Sequence, residues 1–320
     1  RTPNSELMKI LANDGIDDRG KFLLEKAGFT IGTEKVAQEN LIKAINENNF
    51  SGLTVRSATK VRKDVIDACP NLKLIGRGGV GMDTIDVDYA KSKGIAVVNT
   101  PAASSLSVAE LVFAHLFTIV RFLQDSNRLM PLKGSAEFAL MKKKYAGGIE
   151  LSGKTIGIIG IGKIGQAVAR IALGMGMKVV AHDPYVQEAT IEFDLLENKI
   201  SVPLKTVSLD EVFAKSNFIT VHVPGGKLIT KNEIAKMKNG VILVNASRGG
   251  VIDENDLLDA LNSGKVAGAG LDVFENEPKP KRELLQHPNI SLTPHMGSAT
   301  KEAQERIGIE LAEKIIELLK

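Results

Sequence analysis

The sequence predicts an α/β fold made of two doubly wound parallel sheets, each with its own core. Three observations carry that expectation. Short apolar runs bounded by Gly, Asp and Pro alternate with helix-compatible stretches, the order that builds a parallel sheet. This pattern runs from about residue 9 to residue 100 and restarts after residue 150. The chain, at 320 residues, is longer than a single hydrophobic core commonly serves, about 250 to 300 residues.

The elements follow in order. KILAND is a short apolar strand, a helical segment runs to about Gly28, and a polar helix is expected over residues 34–48. GLTVRSAT, LKLIGR and IAVVNT read as strands, with the helical stretch DVDYAKSKG between the last two. From Ser104 to Leu123 a single amphipathic helix, opened by cap-type serines, bridges the two units. Five further strands are expected at KTIGIIG, MKVVAHD, FITVHVP, GVILVNAS and VAGAGLDV. A closing helix runs from about Thr300 to Lys320.

Composition narrows the function classes. With 43% hydrophobic and 25% charged residues, disordered and fibrous readings drop out. The lone Cys69 excludes an internal disulfide. Forty-one basic against 38 acidic residues leave +3, which argues for neither a nucleic-acid nor a membrane partner. The opening RTPNSELMKI lacks a hydrophobic signal core, and SVAELVFAHLFTIVRFL is broken by Glu110, His115 and Arg121, so a cytoplasmic location is expected. Residues 1–7 precede a natural-looking start at Met8 and read as a tag or scar. No metal is expected.

The chemistry gathers in a few motifs. Gly160, Gly162 and Gly165 form GxGxxG in KTIGIIGIGKIGQAVARIA, directly after a strand and at the start of a helix, with Lys163 and Ile164 inside the turn. Such a turn lets backbone N–H groups and the positive end of a helix dipole meet a pyrophosphate. MKVVAHD ends in Asp183, eighteen residues after Gly165 and close to the spacing of about 20 for a ribose-binding acid. The unit is therefore Rossmann-like, and an acid at that position favours NAD over NADP. Arg248 follows a strand in VILVNASRGGVIDE, where its planar guanidinium suits a carboxylate, although by spacing alone an exposed loop arginine is the ordinary reading. Glu277 lies in LDVFENEPKP and His295 in ISLTPHMGSAT; His suits proton transfer near neutrality, and a carboxylate would fix its tautomer. Of the other histidines, His115 and His287 read as structural, His182 as surface or packing, and His222 as lining the cofactor groove.

Taken in order, VRSATKV, GRGGVGMDTIDVDYAKSKGIAVVNTP, GIGKIG, NASRGGVIDE, GLDVFENEP and TPHMGSAT resemble the NAD-dependent D-isomer-specific 2-hydroxyacid dehydrogenases, from residue 8 to residue 320. The resemblance implies that Arg248, Glu277 and His295 are catalytic. It places the cofactor on the glycine turn and Asp183, with Val223, Pro224, Ala246, Ser247, Arg248, Asp272, His295 and Gly297. It implies residues 8–103 with 296–320 as a discontinuous substrate-binding domain, residues 104–295 as an inserted NAD domain, an active-site cleft between them, and a homodimer built mainly on the NAD domain. GLTVRSATKV, GRGGVGMDTIDV, NTPAASSLSVAEL and TKEAQERIG resemble in particular the branch acting on a phosphorylated three-carbon 2-hydroxy acid. That substrate needs extra positive charge, for which Arg56 and Arg77 stand at strand ends, with Ser57 beside the first; two solvated loop arginines are the plainer alternative. The turn around Val80 and Gly81 resembles the family's cradle for the substrate carboxylate. The basic run at residues 141–148 either adds charge to the site or is a solvated face.

Two departures from the family pattern stand out. HVPGGKLITKNE replaces the usual Pro-Leu-Thr type of loop, which weakens the carry-over to Val223 and Pro224. The chain also ends at its closing helix, so no serine-sensing domain is expected. A hydroxypyruvate or glyoxylate reductase would share the same three catalytic residues, and an NAD(H)-sensing interaction protein is the alternative from another class.

Overall fold

The computed structural model describes residues Met8–Leu319; the expected tag or scar at residues 1–7 lies outside the described residues. The chain divides into two compact units, one formed by the described residues up to Ser105 together with those from Ser298 onward, the other by Leu106–Gly297.

In the first unit the elements are β1 (Lys9–Ala12), α1 (Asp18–Lys26), β2 (Thr30–Gly32), α2 (Leu41–Glu47), β3 (Gly52–Val55), α3 (Lys63–Ala68), β4 (Leu74–Arg77), α4 (Val87–Ser92) and β5 (Ala96–Asn99). All five strands are parallel, in the order β2-β1-β3-β4-β5. Alternation along the strands separates two cores: Leu11, Leu53, Val55 and Ile75 pack on one face, Ile10 and Leu74 on the other. The expected helix over residues 34–48 is shorter. A 3-10 turn at Gln38–Asn40 leads into α2, because the side-chain amide of Asn13 takes both backbone groups of Val36 and holds that residue extended. The three-residue β2 carries too short an apolar signal to be read from sequence.

The second unit opens with α5 (Ser105–Val120) and α6 (Leu123–Lys144). It continues through β6 (Thr155–Ile159), α7 (Lys163–Gly174), β7 (Lys178–His182), β8 (Glu188–Leu195), β9 (Asn198–Lys205), α8 (Leu209–Lys215) and β10 (Phe218–Val221). Next come α9 (Lys231–Lys236), β11 (Val241–Asn245), α10 (Glu254–Asn262), β12 (Val266–Leu271), α11 (Arg282–Gln286) and β13 (Ile290–Leu292). Six parallel strands form a sheet in the order β13-β12-β11-β10-β6-β7, with a core on each face.

Three features of this unit depart from expectation. The single helix over residues 104–123 ends at Val120; Phe122 turns left-handed (φ 55°) and α6 follows at a bend. Pro131 and Gly134 in α6 disguise it as a breaker-rich stretch. β8 and β9 form an antiparallel hairpin where helix was expected, and the alternation in EATIEFDL buries Ala189 and Ile191 against the core. The short β13 adds a sixth strand to the five expected.

The closing helix α12 (Lys301–Leu319) returns to the first unit, where Leu311, Ala312 and Ile315 pack with Ile10, Leu24 and Leu74. It crosses α1 at two glycines so closely that a Cβ on Gly20 would lie 2.4 Å from the Gly308 carbonyl oxygen. No single helix among the described residues is long and apolar enough to cross a membrane.

Candidate active site

Both sheets place chemistry where strand order reverses. In the second unit that point lies between β6 and β10, since β7 continues to one side of β6 and β10 lies on the other. Ligands of such sheets bind at the carboxyl ends of the strands at this position.

The GIGKIG turn leaves β6 there. Gly160 has φ +93°, and a Cβ on it would sit 2.3 Å from the carbonyl oxygen of His222, at the end of β10. A Cβ on Gly165 would meet the Gly160 carbonyl oxygen at 2.1 Å, so the turn closes tightly on the helix. Gly162, by contrast, has open space around it and serves as the N-cap of α7 without a capping side chain. An uncapped helix start beside an open glycine is what an approaching phosphate requires. Asp183 lies at the same turn: its Oδ2 accepts the N–H of Ile161 at 2.9 Å and its Oδ1 those of Tyr185 and Val186. Lys163 is exposed, Ile164 half-buried against the core, and Val223 and Pro224 follow β10, half-buried and exposed. His222 bonds Thr220 through Nε2 (3.0 Å), while its buried Nδ1 has no partner among the described residues; burial pushes its pKa down to about 3, so it stays neutral.

The other half of the site is built on three loops. At the end of β11, Asn245 braces the Arg248 loop: Ser247 donates to the Asn245 side chain through N–H and hydroxyl, and Asn245 Nδ2 donates to the Arg248 carbonyl. Ala246 and Ser247 are buried; Arg248 is half-buried and donates from Nη1 to the Ser247 carbonyl at 2.7 Å. Gly249 allows this loop to press on the next, since a Cβ there would fall 1.9 Å from the Phe274 carbonyl oxygen. In that next loop Glu277 Oε1 accepts the Phe274 N–H at 2.9 Å, and its Oε2 lies 2.8 Å from Nδ1 of His295. The expected pairing of Glu277 with His295 is thus present. A carboxylate can only accept, so Nδ1 carries the proton and Nε2 is left with a lone pair as a base.

His295 itself sits at φ 53°, a conformation its loop must impose. Asp272, 1% exposed, imposes it: its backbone carbonyl accepts the His295 N–H, Oδ1 accepts from Thr293 Oγ1 and Met296 N, and Oδ2 accepts from Gly297 N. Asp272 and Gly297, both expected at the cofactor, therefore spend these groups on the loop; the Gly297 carbonyl is taken by Ser107 as well. Because the single Thr293 hydroxyl proton goes to Asp272, Thr293 must accept from His115 Nε2, and His115 Nδ1 accepts from Ser291. Burial lowers the His115 pKa, in keeping with a neutral, structural imidazole. His182 likewise packs inward, with Nδ1 against the Val207 carbonyl.

A sequence profile described as the NAD binding domain of the D-isomer specific 2-hydroxyacid dehydrogenases matches residues 113–297, the stretch that holds every loop just described. The chain is 45% identical to a hydroxypyruvate reductase of Thermotoga maritima over 97% of its own length and 98% of that protein's. This chain belongs to the D-isomer specific 2-hydroxyacid dehydrogenase family. Another relative is a D-3-phosphoglycerate dehydrogenase of Archaeoglobus fulgidus, 40% identical over 98% of this chain, which spans 58% of that enzyme's length. Among solved structures, a glyoxylate reductase from Paecilomyes thermophila superposes with a TM-score of 0.79 at 29% identity, over 97% of this chain and 94% of that one. As a member of the dehydrogenase family the chain binds NAD(H), and its chemistry is that of an NAD-dependent D-2-hydroxyacid dehydrogenase.

The residues expected to take substrate lie in the first unit. Arg56 and Ser57 follow β3; Arg56 is half-buried, and its guanidinium has no hydrogen-bond or ion-pair partner among the described residues. Arg77 ends β4 and donates from Nη1 to the Gly78 carbonyl at 2.7 Å. The N–H groups of Val80 and Gly81 have no partner among the described residues, while Asn99 holds the Val80 carbonyl from behind at 2.8 Å. In the basic run, Lys144 pairs with Asp125 at 2.6 Å on the surface. Sequence reading missed the supporting polar residues Asn13, Asp14, Thr59, Asn245 and Thr293; their only local signal was a polar residue at or within a few residues of the carboxyl end of a strand.

Proposed function

We propose that the chain oxidises D-3-phosphoglycerate to 3-phosphohydroxypyruvate, and reduces it in the reverse direction. The observation that carries this reading is the unpartnered, half-buried Arg56 guanidinium together with the unpaired N–H groups of Val80 and Gly81, two anion-seeking features in one unit. In this reading the Val80–Gly81 turn holds the substrate carboxylate, and Arg56, supported by Arg77, neutralises the phosphate. Arg248 grips the carboxylate end and polarises the reacting oxygen. His295 Nε2 takes the C2 hydroxyl proton on oxidation and returns it on reduction, while Glu277 stabilises the imidazolium so formed. NAD, when bound at the glycine turn and Asp183, supplies the acceptor for the C2 hydride. The carboxylate of Asp183 also disfavours a 2′-phosphate on the ribose.

Steady-state reduction of 3-phosphohydroxypyruvate and of hydroxypyruvate with NADH tests the substrate. A kcat/KM at least about tenfold higher for the phosphorylated acid is expected from one additional charge-assisted contact. Equal or reversed values favour the second reading, a hydroxypyruvate reductase, which the 45% identity to the Thermotoga maritima protein supports.

A homodimer through the NAD-binding unit is proposed from α6. Met130, Leu132, Phe138 and Leu140 are exposed on it, Leu132 by 79%. A second copy of the chain would cover such side chains. Light scattering on the intact protein should give twice the chain mass, and Leu132→Glu with Leu140→Glu should give the monomer.

A further inference from the structure

We infer that Asp14 is a positioning residue for substrate recognition, acting through Arg56. In the first unit strand order reverses between β1 and β3, which are neighbours and parallel. Asp14 follows β1 and Arg56 follows β3, so both stand at the carboxyl ends where the fold directs ligands.

The Asp14 carboxylate is committed to the Arg56 loop. Its Oδ2 accepts the N–H of Arg56 at 2.7 Å and of Thr59 at 3.0 Å, and its Oδ1 accepts the Thr59 hydroxyl at 2.8 Å. Thr59, 3% exposed, is gripped from the other side by Asn13 Nδ2 at 2.9 Å, and the same amide is anchored on Val36. Residues 56 to 59 are therefore bolted to the end of β1 at both of their ends.

The Arg56 side chain is treated differently. Asp14 forms no ion pair with it, because the carboxylate faces loop donors. Arg56 lines a pocket of about 270 Å³ together with Asp14, Asp17, Thr54, Gly78 and Gln304. Burial of Arg56 weakens its hold on the proton, and the nearby Asp14 charge opposes that effect. A rigid backbone under an unpartnered cation lowers the ordering cost of binding an anion, since only the side chain remains to be fixed. A competitor carboxylate would act in the opposite sense and weaken anion binding.

The inference rests on Arg56 binding substrate, as proposed above, and the experiment separates the two. KM and kcat are measured with NADH against 3-phosphohydroxypyruvate and hydroxypyruvate for Arg56→Ala, Asp14→Ala, Asp14→Asn, Thr59→Val and the Arg56→Ala/Asp14→Ala pair. For the better of the two substrates, Asp14→Ala and Thr59→Val should each raise KM about tenfold with kcat and the KM for NADH little changed. Asp14→Asn, whose amide oxygen can still accept the two backbone N–H groups, should recover most of the loss. Added to Arg56→Ala, Asp14→Ala should have no further effect. If Asp14→Ala does not fold, as judged by thermal melting, Thr59→Val carries the same test. A fall or no change in KM, or additive effects in the pair, overturns the role of Asp14 while Arg56→Ala alone still raises KM. No effect of Arg56→Ala overturns the substrate role of Arg56 and this inference with it.

Discussion

His295→Ala should lower kcat by about 10²- to 10⁴-fold, the range that a positioned acid–base group contributes, while NADH affinity changes little. Its Nδ1 lies 2.8 Å from Glu277 Oε2, which leaves Nε2 as the nitrogen proposed above to exchange a proton with substrate. Removing the ring deletes that exchange, yet the glycine turn and Asp183 stand on other loops and keep their geometry. Steady-state rates together with NADH fluorescence titration check both halves of the expectation. Turnover close to that of the unaltered enzyme would remove His295 from proton transfer. Glu277→Gln should have a smaller effect, because the amide oxygen still orients Nδ1–H but no longer stabilises an imidazolium.

Asp272→Ala should damage stability and catalysis together. Three donors, the half-buried Thr293 Oγ1, Met296 N and the buried Gly297 N, lose their acceptor. An unsatisfied buried group costs about 1–3 kcal/mol, so a loss on the order of 2–5 kcal/mol from the second unit is expected. The catalytic consequence comes from His295, whose left-handed backbone depends on this loop. At temperatures where the variant is still folded by circular dichroism, kcat should remain depressed by at least about tenfold, since small misplacements at a reacting centre carry large rate penalties. Asp272→Asn keeps one acceptor oxygen and should fall between the two. A variant with normal kcat and a normal melting curve would show that the loop holds His295 without Asp272.

The legible part of this protein is the part written in local patterns. GxGxxG after an apolar run, an acid eighteen residues on, and alternating strands and helices are each contained within a few dozen residues. They specify the parallel sheets, the glycine turn and Asp183 without reference to distant contacts. The misreadings arose where long-range contacts overrode local preference. Residues 34–37 have helical composition, but Asn13, more than twenty residues earlier, claims the backbone of Val36. The β8–β9 hairpin is ordinary period-two alternation inside a region whose surroundings suggested a helix. In α6, Pro131 and Gly134 masked a helix whose apolar side chains Met130, Leu132, Phe138 and Leu140 are exposed among the described residues.

The sequence by itself determined the two α/β units and the glycine turn, because local alternation and spacing specify them, whereas Arg248, Glu277 and His295 were singled out by the ordered motifs that resemble the family and not by spacing alone. Only the tertiary structure decided which groups meet. Glu277 and His295 are eighteen residues apart and pair through a 2.8 Å contact. Gly249 lets the Arg248 loop rest on Phe274, and Asp272 binds the loop that carries His295. In the first unit, Asp14 reaches 42 residues along the chain to hold Arg56. Such contacts join residues remote in sequence, and their geometry exists only once the parallel strands have brought their carboxyl ends side by side.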